Sequence, residues 1–271
     1  MTATNIAFSG SIPANYERYL GPYIFEPYAQ DIITHISHKQ INNVLETACG
    51  TGRVSGLLRD VLPKQTSLVA TDFNADMLHI AQQMHEGKNI EWLTADMQAL
   101  PFPDDSFDLI ICQFGLMFVP DKQKALNEAY RVLKTGGQLL LSTWNSLTHN
   151  PAFDLANKLI HEFFPSDPPA FFQLPFSLHN PTELQQWATN AGFNQPQITL
   201  VKKQGTSVSA AATATGMIEG SPVYTLICER DASLLPHIKK HFEKELAAQF
   251  GSAPMISPLE AWLLDARKCF Y

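Results

Sequence analysis

The feature that most constrains the fold is a regular alternation of apolar runs and helix-like patterns between residues 44 and 145. The apolar runs, which we interpret as strands, are Asn43–Thr47, Ser67–Thr71, Ile90–Thr94, Phe107–Gln113 and Gln138–Trp144. The segments between them that we expect to be helical are Arg53–Val61, Ala75–Met84 and Lys122–Val132. Alternating strands and helices are typical of βαβ units on a parallel sheet. The sequence therefore predicts an α/β fold of the Rossmann-like, doubly wound kind.

The chain on either side of this core is less regular. Residues 1–43 are mostly helical in character and carry an aromatic cluster of Tyr16, Tyr19, Tyr23, Phe25 and Tyr28. Beyond residue 146 we expect helices near Phe153–Phe164, Pro181–Asn190 and Leu234–Phe250, an extended run at Pro196–Lys203 and a closing strand at Ala261–Lys268. We expect one domain over residues 1–271, made of an arm (1–43), a core (44–145), insertions with the remaining sheet (146–260) and the closing strand (261–271).

Composition argues against several classes of protein. The net charge is −7 and the basic residues are scattered, whereas a nucleic-acid-binding protein needs a concentrated basic face. The four cysteines occur singly, which disfavours a zinc site or a disulfide scaffold. Residues 1–10 lack the pattern of a secretory signal, and the longest nearly apolar stretch, Leu109–Val119, is too short to cross a bilayer. We therefore expect a cytoplasmic protein with no bound metal and no nucleic-acid partner.

A glycine turn follows the first predicted strand directly. The segment reads Val44-Leu45-Glu46-Thr47-Ala48-Cys49-Gly50-Thr51-Gly52-Arg53, and Gly56 extends its glycine spacing. Glycines let a ligand approach the backbone closely, and the start of the following helix offers free N–H donors to an anionic group. Many nucleotide-binding proteins share such a turn, so by itself it indicates only a nucleotide-like ligand.

Two acidic residues follow the next two strands. Asp72 lies 20 residues after Gly52, where a carboxylate at the tip of the second strand can accept both hydroxyls of a ribose. Phe73 can pack against an adenine, while Asp96 can accept the adenine amine and Met97 can cover the ring. Either carboxylate alone is equally well explained as a loop cap. Together with the glycine turn, and in this order, they predict an adenosine site.

These segments resemble the class I S-adenosylmethionine-dependent methyltransferases, of the methyltransferase type 11 group that includes ubiquinone and menaquinone biosynthesis enzymes. The matching motifs are Leu45–Gly52, Thr71-Asp72-Phe73, Ala95–Asp108 and Arg131–Gly137. The most specific of them is the Leu-Pro-Phe-Pro-Asp-Asp-Ser-Phe-Asp stretch that ends at Asp108. One departure is Thr47-Ala48, where many relatives have Val-Gly. The resemblance is strong over about residues 40–145 and implies a mostly parallel, seven-stranded sheet with an antiparallel final strand and helical lid insertions.

The resemblance also implies cofactor-binding residues and makes residues 44–145 the cofactor-binding core. The side chains and turn expected around the methionine part of S-adenosylmethionine are Glu46, Ala48, Cys49, Gly50 and Gly52. Asp72 and Phe73 are expected at the ribose and adenine, and Asp96 and Met97 complete the adenine site. Gln113 is expected to present its backbone carbonyl to the cofactor's ammonium group.

Two aromatic segments have alternative interpretations. Relatives often use an N-terminal helix as a lid, so Tyr19 or Tyr16 can lie over the cofactor, or both can simply pack that helix onto the core. Likewise, the Phe- and Pro-rich loop at 163–176 is either a wall of the substrate pocket or a hydrophobic plug. We include Tyr19 among the expected cofactor-binding residues, and the sequence does not decide between the two interpretations of the Phe- and Pro-rich loop.

Two further patterns carry no functional prediction. His237 and His241 lie four residues apart on a predicted helix, a spacing that can bind metal, but the sequence offers no third ligand nearby. His35 and His38 are interpreted in the same way, as solvated helix positions. Cys49 lies in the glycine turn, where its small side chain and backbone N–H are the expected contribution, because no activating base is evident.

The prediction that follows is an enzyme that transfers a methyl group from S-adenosylmethionine to a small, apolar or aromatic molecule by in-line displacement. Such a reaction depends mainly on alignment and exclusion of water, so the lack of a catalytic motif does not argue against it, and no catalytic residue is assigned. The alternatives are an NAD(P)-dependent oxidoreductase that uses the same glycine turn and a non-catalytic relative that binds a cofactor or a partner.

Overall fold

A computed structural model describes residues 8–37 and 40–269 of the chain. Seven strands form one sheet: β1 (Asn43–Thr47), β2 (Ser67–Asp72), β3 (Glu91–Thr94), β4 (Phe107–Gln113), β5 (Leu133–Trp144), β6 (Asn194–Ser207) and β7 (Met255–Arg267). The α-helices are α1 (Ile12–Asn15), α2 (Glu26–Ile32), α3 (Arg53–Val61), α4 (Ala75–Met84), α5 (Lys122–Val132), α6 (Pro151–Phe163), α7 (Pro181–Asn190), α8 (Ala210–Glu219), α9 (Val223–Asp231) and α10 (Leu235–Phe250). A π-helix, Tyr16–Phe25, joins α1 to α2. His38 lies outside the described residues.

The strand order is β3-β2-β1-β4-β5-β7-β6. Strands β1 to β5 pair in parallel, and β7 pairs antiparallel with both β5 and β6. The prediction of a mostly parallel, seven-stranded Rossmann-like sheet with an antiparallel final strand is confirmed. Chain order reverses between β1 and β4, and such a switch point opens a crevice at the carboxyl ends of the strands.

The three predicted helices of the core have the predicted bounds, and their first turns show why. The Asn74 side chain accepts hydrogen bonds from the backbone N–H groups of Asp76 and Met77, and the Asp121 side chain accepts one from Lys124. Farther along, the Asn180 side chain caps α7 in the same way. Asx residues at these positions satisfy N–H groups that have no partner within a helix, so the helix starts are encoded locally.

Strand β5 begins well before its predicted start at Gln138. Strand β5 begins at Leu133, immediately after α5 ends at Val132, and Leu133 pairs with Phe107. The Lys268 ammonium donates to the carbonyl oxygen of Leu133 at 2.8 Å and to that of Tyr130 at 3.0 Å. A residue from the far end of the chain therefore fixes this junction, which the local sequence cannot indicate.

The C-terminal half is more regular than its sequence indicates. Strand β7 begins at Met255, well before the predicted start at Ala261, and β6 extends beyond the predicted run at both ends. Helices α8 and α9 were not predicted. Most of α8 is buried and its exposed face is narrow, so the helical periodicity in the sequence is weak. Among the described residues, no helix is both long enough and apolar enough to cross a membrane.

Gly56 serves packing between helices. A Cβ atom at this position in α3 would lie 2.3 Å from Cε1 of His85, whose ring is stacked on Trp92 with centroids 6.0 Å apart. Gly56 is not among the residues that line the cavity described below. Its place in the glycine spacing therefore reflects the His85 ring, which occupies the space of a side chain.

Gly56→Ala should destabilise the wild-type protein by about 1–3 kcal/mol, because the added methyl group overlaps the His85 ring. In the His85→Ala background the same change should instead stabilise the protein by up to about 1 kcal/mol, since alanine is the better residue within a helix. Urea unfolding of the four proteins in this cycle measures both effects. An equal effect of Gly56→Ala in the two backgrounds would contradict the proposed contact.

Candidate functional site

A cavity of about 380 Å³ opens at the carboxyl ends of the parallel strands. This volume lies within the range of about 300–1,000 Å³ that is usual for small-molecule sites. Residues at the ends of five neighbouring strands line it, namely Glu46, Asp72, Asp96, Gln113 and Trp144. The N-terminal arm and the segment after α6 complete its walls. The cavity therefore lies at the switch point, where the topology leaves a crevice.

Asp72 connects the first three loops of this edge. Its carboxylate accepts hydrogen bonds from the backbone N–H groups of Gly50 and Asn74, each at 2.8 Å. Its own carbonyl oxygen accepts from the N–H of Ala95 at 3.0 Å. Burial raises the pKa of the Asp72 carboxyl, and the backbone hydrogen bonds oppose that rise by stabilising the carboxylate. The loop tips around Gly50, Asp72 and Asp96 thus converge as predicted.

The glycine turn depends on left-handed backbone conformations. Ala48, Gly50 and Gly52 have φ values of 51°, 56° and 80°. A side chain is disfavoured in this region, so glycine suits the last two positions and Ala48 is held in a strained conformation. Ala48, Cys49 and Gly50 line the cavity, whereas Gly52 lies outside the lining and precedes the first residue of α3. Gly52 therefore shapes the turn.

Glu46 is a buried acid at the end of β1. Its side chain accepts a hydrogen bond from the Ser55 hydroxyl, and the residue is 2% exposed. Burial raises the pKa of the Glu46 carboxyl to about 8, with a smaller contribution from the negative charge of Asp72. In this state the carboxyl is mostly protonated at pH 7, and a cation placed beside it would favour the carboxylate.

The loops after β2 and β3 present one exposed ring and one acid to the cavity. Phe73 lines the cavity and is 77% exposed, which is unusual for a side chain of this size and leaves a ring face free. Asp96 accepts hydrogen bonds from the backbone N–H of Gln98 at 2.8 Å and from its side chain. Met97 also lines the cavity and is largely buried. All three residues line the same cavity.

The N-terminal arm covers the cavity with a helical face that an α-helix would not provide. Tyr16 and Phe25 both line the cavity, and their rings stack with centroids 4.7 Å apart. Nine residues make about 2.5 turns of an α-helix, which would place the two on opposite faces. The wider turns of the π-helix, with i→i+5 hydrogen bonds, bring them to the same face. Pro22, which has no N–H to donate, lies within this segment.

Of the two tyrosines considered for a lid, Tyr16 lines the cavity and Tyr19 does not. The Cβ of Tyr19 lies beside Gly216 of α8, and the guanidinium of Arg18 lies 5.2 Å from the centroid of its ring. The assignment of Tyr19 to the cofactor therefore does not fit the structure. Because the turns of the π-helix are wider, Tyr19 is directed towards α8. Tyr16 instead occupies the position at the cavity that we expected for Tyr19.

The arm is fastened to the glycine turn by ionic contacts. Glu17 accepts hydrogen bonds from the Thr51 hydroxyl, at 2.6 Å, and from the guanidinium of Arg53. Arg53 also pairs with Glu26, with 2.8 Å between nitrogen and oxygen. Both Thr51 and Arg53 line the cavity, so these bonds position the arm relative to the site. Sequence reasoning missed this group because its members lie far apart along the chain.

The opposite end of the cavity is aromatic. Phe114 and Trp144 stack with centroids 3.8 Å apart and parallel planes. Phe114 has a φ of 55°, a conformation that costs of order 1–3 kcal/mol for a bulky residue. Phe171, Phe172 and Phe176 of the Phe-rich loop line the same end, which favours the interpretation of this loop as a pocket wall. Neither Phe114 nor Trp144 was identified from the sequence.

Two further predicted site residues are Gln113, which ends β4, and Cys49, which lies in the glycine turn. The Gln113 side chain donates to the carbonyl oxygen of Phe25 at 3.3 Å, and its Oε1 is buried without a partner among the described residues. Burial raises the pKa of the Cys49 thiol, which argues against a thiolate nucleophile.

Within residues 8–37 and 40–269, no group of three or more His, Cys, Asp or Glu side chains is arranged to hold a metal ion.

The chain is similar to known proteins in both sequence and structure. A sequence model of the ubiE/COQ5 methyltransferase family matches residues 23–166. The ubiquinone/menaquinone biosynthesis C-methyltransferase UbiE of Stenotrophomonas maltophilia is 33% identical over 168 residues, which cover 57% of this chain and 66% of that protein. The same enzyme of Francisella tularensis subsp. novicida is 36% identical over 139 residues, covering 50% and 52%. The chain thus spans about half to two thirds of the length of these relatives.

Two solved structures share the fold. The YcgJ protein of Bacillus subtilis superimposes with a TM-score of 0.57 at 20% identity, covering 90% of this chain and 98% of that one. A phosphoethanolamine N-methyltransferase of Haemonchus contortus in complex with S-adenosyl-L-methionine superimposes with a TM-score of 0.58 at 12% identity, covering 95% and 57%. At these identities the structures speak for the fold alone. The sequence match, which spans more than half of the chain, shows that the protein belongs to the ubiE/COQ5 methyltransferase family.

Proposed function

We propose that this protein transfers a methyl group from S-adenosylmethionine to a small, apolar or aromatic acceptor. The observation that carries the proposal is a single cavity with two different ends. One end has the glycine turn and the acids Glu46, Asp72 and Asp96, and the other is built of aromatic rings. The polar end suits the charged methyl donor and the aromatic end suits the methyl acceptor. One cavity brings the two molecules together.

The residues at the polar end fit the cofactor that the family implies. We assign Asp72 to the ribose and the exposed Phe73, with Asp96 and Met97, to the adenine. Glu46, Ala48, Cys49 and Gly50 would surround the methionine part. Gln113 would contribute its backbone carbonyl to the ammonium group of the cofactor. S-Adenosylmethionine, when bound, supplies an electrophilic methyl group on a sulfonium and is converted to S-adenosylhomocysteine by in-line displacement.

The chain's own contribution is orientation and exclusion of water. The titratable residues that line the cavity are Tyr16, Glu46, Cys49, Arg53, Asp72 and Asp96. Of these residues, Tyr16 packs against the aromatic rings, and burial raises the pKa of its phenol, so this hydroxyl stays protonated at neutral pH. That wall therefore holds an acceptor in place without offering it a general base, and the acceptor must supply its own nucleophilic electron pair.

The acceptor can be specified further from the relatives. The UbiE proteins are named as C-methyltransferases of ubiquinone and menaquinone biosynthesis, which favours a ring carbon of a quinol as the acceptor atom. The aromatic end of the cavity suits a flat, apolar ring. Family membership also argues against the NAD(P)-dependent oxidoreductase considered from the sequence. We propose a small-molecule acceptor for the whole protein and no nucleic-acid partner.

The direct test is to incubate the protein anaerobically with methyl-labelled S-adenosylmethionine and 1,4-dihydroxynaphthalene, and to identify the labelled product by mass spectrometry. Incorporation of label on a ring carbon is expected. Thermal denaturation with S-adenosylmethionine or NADPH separates the alternatives, because a ligand that binds only the native state stabilises it. Stabilisation by NADPH alone would overturn the proposal, and cofactor binding without transfer to any acceptor would favour a non-catalytic relative.

Asp72→Ala should weaken S-adenosylmethionine binding by at least about tenfold, since a hydrogen bond to a charged group contributes about 1.5–3 kcal/mol. Titration calorimetry measures the dissociation constant. Asp76→Ala is the matched control, because this exposed carboxylate lies nearby, in the first turn of α4, but outside the cavity lining. Equal affinities of the two variants would contradict the assignment of Asp72 to the ribose.

Cofactor binding should release a proton from Glu46 near neutral pH. The pKa of its carboxyl is raised to about 8, so the group is mostly protonated at pH 7, and the ammonium of the methionine part favours the ionised form. Release should be greatest at about pH 7 and should disappear well above pH 8, where the carboxyl is already ionised. Calorimetry in two buffers of different ionisation enthalpy counts the protons. Glu46→Gln should abolish the release, and an unchanged proton count in this variant would assign it to another group.

A further inference from the structure

Most side-chain donors that line the cavity are already used within the protein. Thr51 and Arg53 donate to Glu17, and Gln98 donates to Asp96. Asn74 and Gln113 donate to the backbone carbonyls of the arm. Ser221 donates to the carbonyl of Met217 at 2.7 Å. Tyr16 and Trp144 differ from these residues, because neither the phenol hydroxyl nor the indole N–H has a hydrogen-bond partner among residues 8–37 and 40–269.

Two unpartnered donors in an apolar wall require an explanation. Buried tyrosine hydroxyls and tryptophan N–H groups usually find a partner, because leaving such a donor unsatisfied is unfavourable. Neither the Tyr16 hydroxyl nor the Trp144 N–H is among the buried polar atoms that lack a partner, so both keep some accessible surface, although Trp144 as a whole is only 3% exposed. Both residues line the cavity. A ligand in the cavity is therefore the natural partner for both.

The Tyr16 hydroxyl lies where the two ends of the cavity meet. Its oxygen is 4.0 Å from the position that a Cβ on Gly50 would take, so it reaches the glycine turn. Its ring stacks on Phe25 and meets the edge of Phe8 with centroids 5.7 Å apart. The ring therefore belongs to the aromatic wall while the hydroxyl is directed to the polar turn.

Trp144 is held by rings around its indole. Phe114 stacks on it, and the centroid of Tyr28 lies 5.2 Å away in an edge-on arrangement. Phe25 lies 6.4 Å from the Trp144 ring and 4.7 Å from the Tyr16 ring. Phe25 is therefore a neighbour of both hydrogen-bond donors and separates Tyr16 from Trp144 within the aromatic wall.

We propose that Tyr16 and Trp144 are the specificity-determining donors of the acceptor site, each giving one hydrogen bond to an oxygen of a flat aromatic acceptor. This inference rests on the proposed function and adds the residues that read the acceptor. Apolar walls with a few placed polar groups are how small-molecule sites fix orientation. A wall with two donors selects a ring that carries two accepting oxygens over a ring that carries one or none.

Tyr16 acts as a donor because its hydroxyl stays protonated. Burial and the negative charges of Glu17 and Asp72 raise the pKa of the phenol, and the positive charge of Arg53 opposes them only in part. A protonated phenol donates to a neutral or an anionic oxygen and cannot remove a proton from it. Tyr16 is therefore a positioning residue that stabilises negative charge on the acceptor oxygen.

The test is a binding series that does not depend on turnover. The dissociation constants of 1,4-dihydroxynaphthalene, 1-naphthol and naphthalene are measured by calorimetry, anaerobically and with S-adenosylhomocysteine present. Wild-type protein should bind them in that order, with steps of roughly 3- to 10-fold for each hydrogen bond. Tyr16→Phe should remove one step when S-adenosylhomocysteine is kept at a saturating concentration. Trp144→Phe should remove the other step.

Tyr224→Phe and Trp187→Phe are the matched controls, because both residues lie outside the cavity lining, and both variants should keep the wild-type series. If Trp144→Phe fails to fold, the Tyr16→Phe series still decides. A Tyr16→Phe protein with wild-type steps, or a wild-type protein that binds all three compounds equally or not at all, overturns the inference. Failure of the proposed function is recognised separately, as a wild-type protein that binds no S-adenosylmethionine or transfers no methyl group.

Discussion

The site depends on one carboxylate that is hydrogen-bonded from two sides. Asp72 accepts from the N–H of Gly50 in the loop after β1 and from the N–H of Asn74 in its own loop, and its carbonyl oxygen accepts from Ala95 after β3. A buried carboxylate is costly without such donors, so the bonds stabilise its charge and fix the spacing of three loops together. The parallel sheet supplies the loop ends, and Asp72 holds them as one surface.

The second constraint is the N-terminal arm, which turns an open crevice into a cavity with an aromatic end. Its π-helix directs Tyr16 and Phe25 to the same side, and the Glu17–Arg53 pair fastens it beside the glycine turn. The arm contributes to both ends of the cavity, because Glu17 holds residues of the turn while Phe25 lies against Phe114. The polar and the aromatic parts of the cavity are therefore built partly from the same short segment.

The sequence was most informative where the structure is local. The core strands and the helices α3, α4 and α5 depend on residues close together in the chain, and they were predicted, although β5 begins earlier than expected. The three loop tips follow from where those strands end, and their convergence was predicted as well. The π-helix was not, because nothing in the sequence distinguishes its turns from those of an α-helix, and Tyr19 was consequently chosen where Tyr16 lines the cavity. Gly56 was grouped with the glycine turn because its contact with His85 is tertiary. Phe114 and Trp144 meet only when β4 and β5 pair.

The central claim is that the loops joined by Asp72 enclose an adenosyl group while the aromatic wall stays free for the acceptor. A crystal structure of the protein with S-adenosylhomocysteine tests this most directly. We expect the ribose hydroxyls within hydrogen-bond distance of the Asp72 carboxylate, the adenine beside Phe73 and Asp96, and the sulfur directed towards Tyr16. A ligand bound elsewhere, or one whose adenosyl group lies against Phe114 and Trp144, would contradict the account.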